Sequence, residues 1–125
     1  MGTTVARDDV ARRVTVTMTG PLSASDILPL IETLRRPDVA SYGVLWDARE
    51  VSLRFAPGDL GRIRATMVSA DRGTPKPVRV AILATQDYLY SFAKVVAAAI
   101  GAAGYDIRAF KQLPDADAWL RDART

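Results

Sequence analysis

A chain of 125 residues with a net charge of +3, 49% hydrophobic and 25% charged residues has the size and balance of one soluble globular domain, residues 1–125 with a single core. It contains neither cysteine nor histidine, which excludes disulfides, thiol nucleophiles, Ser-His-Asp triads and His- or Cys-ligated metals. The 17 Lys and Arg are interspersed with 14 Asp and Glu rather than gathered in a block, so a sequence pI of about 9.6 does not point to a nucleic-acid partner.

Residues Met1 to Arg13 are polar and lack the apolar stretch of a signal peptide, so a cytoplasmic location is expected. Val14 to Thr19 alternate apolar and Thr side chains, the period of a strand with one buried face, and Gly20-Pro21 is expected to stop it. Thr3 to Arg7 can pair with that strand through a turn at Asp8-Asp9, giving an N-terminal antiparallel hairpin. Ser23 to Arg36 place Ile27, Leu30, Ile31 and Leu34 at helical spacing, with Ser25 or Asp26 as cap. Pro29 is expected within the first turn, and Pro37 ends the helix.

Tyr42 to Asp47 and Val78 to Ala84 are nearly continuous apolar runs, as central strands covered on both faces require. Between them a helix from about Gly58 to Asp71 carries Leu60, Ile63 and Met67 on one stripe, with Arg62, Arg64 and Asp71 toward solvent. Gly73 to Pro77 read as a rigid loop. Asp87 is the expected cap of a helix running to about Ala103, with Gly104 as its left-handed stop. Tyr105 to Phe110 form a last strand, and Pro114-Asp115 open a short helix that buries Trp119 and Leu120. Strand, strand, and then helices alternating with strands predict an α/β domain: a mostly parallel sheet with right-handed crossovers and helices packed on it.

Val44-Leu45-Trp46-Asp47-Ala48-Arg49, then Arg79 to Ala84 followed by Tyr88-Leu89-Tyr90, the strand Ile107 to Phe110 and the closing Ala118-Trp119-Leu120 together resemble SpoIIAA-like proteins of the STAS superfamily. The likeness covers nearly the whole chain and implies a STAS/SpoIIAA-like sheet. STAS proteins that antagonise anti-sigma factors carry a phosphorylatable serine at the start of the helix after the second core strand, where added charge sets partner choice. Placing Gly58 on the family glycine puts Ala56 and Pro57 where that serine pattern would stand, so the resemblance implies a domain without the switch. Ser52 lies several residues early and reads as a solvated loop serine. The SpoIIAA-like branch is also grouped with Sec14-type lipid-binding folds, which implies an apolar ligand.

Two surfaces are candidates for function. The helix from Tyr88 to Ala103 turns Leu89, Phe92, Ala93, Val96, Ile100 and Ala103 inward, while Tyr90, Lys94, Ala97, Ala98 and Gly101 leave the other side short of polar groups. That side suits a second subunit, a ligand wall or simply an Ala-rich surface helix, and two-fold homodimers are the commonest oligomers. Broken by Lys94, the segment is too short for a membrane span, which needs about 20 apolar residues. The second surface is the carboxyl rim of the parallel strands, where ligands of open α/β sheets bind, with Asp47, Arg49, Asp87, Tyr88, Tyr90 and Lys94 as candidate ligand-binding residues. Each has a local reading too, Asp47 paired with Arg49 and Asp87 capping its helix.

Asp47, Thr85 and Lys111 at successive strand ends resemble a response-regulator receiver, but Thr19-Gly20-Pro21 stands where the metal-holding acidic pair belongs and Gln112 where proline follows the lysine. No glycine-rich phosphate loop is present. The expectation is therefore a non-enzymatic STAS-like protein-interaction module without cofactor or metal, homodimeric, with an unidentified protein partner. The alternative is a carrier of a small apolar or acyl ligand between the Tyr88–Ala103 helix and the sheet, its polar head held by Lys94 or Arg49.

Overall fold

The computed structural model describes residues 2–70, 73 and 75–122. The chain runs β1 (Gly2–Asp8), β2 (Arg13–Leu22), α1 (Ala24–Leu34), β3 (Gly43–Leu53), α2 (Asp59–Ala70), β4 (Val80–Leu83), α3 (Asp87–Gly101), β5 (Ile107–Phe110) and α4 (Leu113–Asp122). The strands form one sheet in the order β1-β2-β3-β4-β5, with β1 antiparallel to β2 and every other pair parallel, as the alternation of elements predicts. Because successive strands are added in one direction through right-handed crossovers, α1, α2 and α3 fall on the same face. The other face is covered over β3, β4 and β5 by α4, whose Ala116 and Leu120 pack on Leu45, Ala81 and Leu83.

Several boundaries differ from those read in the sequence, each for a local reason. Gly20-Pro21 does not stop β2: Gly20 (φ +79°) and Pro21 continue alongside Val51 and Ser52. Among the described residues β1 reaches no farther than Gly2, which pairs with Thr19, so Pro21 has a described strand neighbour on the β3 side alone and a proline is tolerated. The longer β2 carries β3 with it to Leu53, so Asp47 and Arg49 lie inside β3 rather than after it, and Ser52 is a strand residue rather than a loop serine.

The β2–β3 register slips between Thr17↔Asp47 and Thr19↔Glu50, a bulge with its extra residue on β3. The bulge inverts the alternation of the strand. Trp46 and Ala48 before it, and Val51 and Leu53 after it, all face the α1–α3 layer.

α1 is capped by Ser23 instead of Ser25 or Asp26; Asp26 Oδ2 accepts from the Ser23 N–H at 2.9 Å and from its hydroxyl at 3.1 Å. Pro29 sits well inside the helix, beyond the first turn. It lies on the exposed side, where water can take the carbonyl its missing N–H leaves over, while Ile31 and Leu34 beyond it are buried. The cap of α3 is Gln86, leaving Asp87 as the first helical residue, and the helix closes at Gly101 with Gly104 (φ +95°) as the left-handed stop. The expected helix end at Asp71 and part of the Gly73–Pro77 loop, Thr74, lie outside the described residues.

Candidate functional site

An apolar gap lies between the helix layer and the sheet. α2 packs on α1 and α3 through the cluster around Ile31, Ile63 and Ile100, and no strand makes comparable contact with it. Among the larger apolar side chains that line the gap stand three small ones: Ala48 on β3, Ala84 after β4 and Ala93 on α3. A helix held by its neighbouring helices, with alanines at three of the lining positions, leaves a cavity of about 130 Å³.

Trp46 and Ile82 sit at the middle of the two central strands and face the helices, yet both remain half-buried. Trp46 is thus a wall of the cavity rather than sealed core. At one end the walls are Leu22, Leu53, Phe55 and Phe92, the two phenylalanines meeting edge to face with centroids 5.3 Å apart. At the other end are Met67, Ile100 and Arg35. Arg35 is 7% exposed, and its Nη1 and Nη2 donate to the carbonyls of Ala40 and Pro75.

The polar residues singled out in the sequence lie elsewhere. Asp47 occupies the strand face of Leu45, which packs under α4, and Arg49 grips it with Nε at 3.0 Å and Nη2 at 2.8 Å. Burial alone would raise the Asp47 carboxyl, but the Arg49 guanidinium and backbone N–H hold it below the usual carboxylate range. Asp87 bonds Lys111 at 2.6 Å, which lowers the Asp87 carboxyl and raises the Lys111 ammonium. Lys94 and Lys111 lie 5.2 and 5.3 Å from the Tyr90 ring centroid. Asp87, Tyr90, Lys94 and Lys111 thus gather at the carboxyl end of β4 and β5. None of the six rim candidates, Asp47, Arg49, Asp87, Tyr88, Tyr90 or Lys94, is a wall of the cavity.

The presumed outer side of α3 also divides. Tyr90, Ala97 and Gly101 are half-buried, and a Cβ on Gly101 would meet Ile107 of β5 at 3.7 Å. The outermost ridge is instead Tyr88, Ser91, Val95, Ala98 and Ala102, exposed and uncharged, with Lys94 beside it.

Sequence reasoning placed α3 and the sheet at a ligand site but missed the walls from β2, α1 and α2, such as Met18, Ile27 and Leu60. The available signal was alanine at inward positions of β3 and α3, where the pattern calls for a large apolar side chain. Among the described residues there is no group of three or more acidic side chains able to hold a metal, and no helix long and apolar enough to cross a membrane.

A scan against protein-family models finds no match, and a search of curated proteins finds none either. Solved structures do match. An uncharacterised DUF3478-family protein with a SpoIIAA-like fold from Shewanella loihica PV-4 superimposes with a TM-score of 0.62 at 16% identity, over 95% of this chain and 92% of that one. The chain has the SpoIIAA-like fold. The anti-sigma factor antagonist SpoIIAA in its unphosphorylated form matches with a TM-score of 0.56 at 12% identity, over 96% and 98% of the two chains. The Bacillus cell fate determinant SpoIIAA in its phosphorylated form gives 0.52 at 10%, over 94% and 99%.

At the head of α2, where the resemblance locates the switch serine of SpoIIAA-like antagonists, this version of the fold has Ala56-Pro57-Gly58. The first helical residue there is a buried Asp59, whose carboxylate accepts from the Ala56 N–H at 2.7 Å and from Arg62 Nη1 at 3.1 Å. It fastens the helix start from inside and offers a partner little surface.

Proposed function

We propose that this protein is a non-enzymatic binding module on the SpoIIAA-like fold that holds a small apolar ligand between its helix layer and its sheet. The cavity of about 130 Å³, walled by Trp46, Phe92, Val96 and their neighbours, carries this reading. A void of that size in a protein this small is a standing loss of packing, which a bound apolar group would restore. The acid, base and nucleophile arrangements of common hydrolases have no counterpart near it. Native mass spectrometry of the untreated purified protein tests the proposal. A retained mass of small-molecule size, lost on unfolding, is expected; bare protein that also refuses apolar probes added in solution would end it.

A second reading, self-association, rests on the exposed ridge of α3, where Tyr88 and Val95 are 54% and 55% exposed. Tyr88, Ser91, Val95, Ala98 and Ala102 repeat at alternating three- and four-residue spacing, the interval at which one helix seats against another. Sedimentation of wild type and Ala98→Glu tests it: a dimer converted to a folded monomer supports the ridge as an interface, and an unchanged mass in both refutes it.

A further inference from the structure

The walls of the cavity have almost no capacity for hydrogen bonding. Apart from Arg35, whose guanidinium donates to Ala40 and Pro75, the lining side chains carry one nitrogen donor, the Trp46 indole, and no carboxylate, amide or hydroxyl. Over Val44 to Asp47 the backbone of the floor is engaged in the β2–β3 and β3–β4 ladders. A ligand hydroxyl, ammonium or carboxylate placed there would give up water and gain little in return.

The expected anchors for a polar head group are also misplaced for this purpose. Arg49 is closed on Asp47 at 2.8 Å, and Lys94 stands exposed on α3 beside Tyr90. Neither lines the cavity.

Size narrows the class further. A dry cavity of about 150 Å³ walled by Leu, Ile and Phe takes benzene, and the cavity here is of the same order at about 130 Å³.

We infer that the buried ligand is an uncharged hydrocarbon group of roughly benzene size, aromatic or short aliphatic, held by carbon contacts alone and without an anchored anionic head. This rests on the reading that the cavity is a binding site, and it narrows that site from acyl chains with head groups to compact, uncharged hydrocarbons.

Calorimetric titration of the purified, ligand-stripped chain with toluene, phenol and hexanoate tests the inference separately from the reading beneath it. Toluene is expected to bind one site, phenol roughly tenfold or more weakly because its hydroxyl is buried without a full set of partners, and hexanoate not measurably. Phenol or hexanoate binding as tightly as toluene overturns the hydrocarbon assignment while leaving a ligand site in place. Failure of all three overturns the site itself. The Ala93→Leu variant, which fills the cavity, is expected to abolish toluene binding, and undiminished binding there would move the site away from the cavity and refute the inference.

Discussion

Enlarging a cavity wall should stabilise this protein, although enlarging a core residue usually does the opposite. Ala93 is 3% exposed, lies in the middle of α3 and faces the cavity of about 130 Å³. At about 24 cal/mol per Å³, a void of that size corresponds to about 3 kcal/mol of forgone packing. Ala93→Leu adds three carbons, worth about 2.4 kcal/mol at ~0.8 kcal/mol each if fully accommodated. Imperfect fit takes back part of that, for a net gain of about 1 to 2 kcal/mol. In a chain of this length the gain raises the melting temperature by roughly 3 to 8 °C.

Ala116 supplies the control, since it is also buried but lies on the inner face of α4 against Leu45, Ala81 and Leu83, none of which lines the cavity. Ala116→Leu should destabilise by about 1 to 3 kcal/mol through overpacking. Urea unfolding of the three proteins, with slopes compared to confirm a common transition, measures both changes. Equal destabilisation by the two substitutions would refute the reasoning, because it would mean that the space under α2 cannot be used.

The Asp47–Arg49 pair should show itself in acid. Arg49 holds the Asp47 carboxyl below its ordinary range, so the pair stabilises the fold above about pH 4 and its contribution is lost as pH falls through the lowered value. Asp47→Asn should therefore lower stability at pH 7 by about 1 kcal/mol or less and converge with wild type near pH 2, as urea midpoints across pH will report. A deficit that persists unchanged in acid would contradict the pairing. Gly104→Ala should destabilise by about 1 kcal/mol or more, since φ is +95° and the new Cβ would lie 3.0 Å from Lys76 Nζ. Gly61→Ala, with open space around its Cβ and no positive φ, should be neutral or slightly stabilising, and urea unfolding of both glycine variants measures the two changes.

Much of the fold was legible because hydrophobic period reports which face of an element is buried. The alternation of Val14, Val16 and Met18 marked β2, and the apolar runs around Val44 and Val80 marked the two central strands. What the pattern could not convey was where a strand ends when its neighbour has already stopped. Pro21 reads as a terminator, yet it lies beyond the last described β1 pair, Gly2 with Thr19, and is harmless there, and the extension of β3 that follows turned Asp47 and Arg49 from rim residues into an in-strand pair. Caps were displaced by a few residues for a similar reason: Ser23, Ser25 and Asp26 are all competent, and the capping box formed by Ser23 with Asp26 decides among them.

The candidate site was half legible. The sequence placed a ligand between α3 and the sheet, but it favoured charged rim residues to hold it. Charges stand out in a sequence, whereas this cavity comes from what is missing: three alanines facing inward and a helix resting on its neighbours instead of on the strands. Period says which way Ala48 and Ala93 point, but leaves unstated how much volume remains in front of them.

The most direct test of the central claim is methyl NMR of Ile- and Leu-labelled protein titrated with toluene. The account predicts saturable shifts at the methyls of Ile31, Ile82 and Ile100, which wall the cavity, with little change at Leu45 and Leu120 on the α4 side of the sheet. Unmoved isoleucine methyls at saturating toluene, or shifts spread equally over both faces, would contradict it.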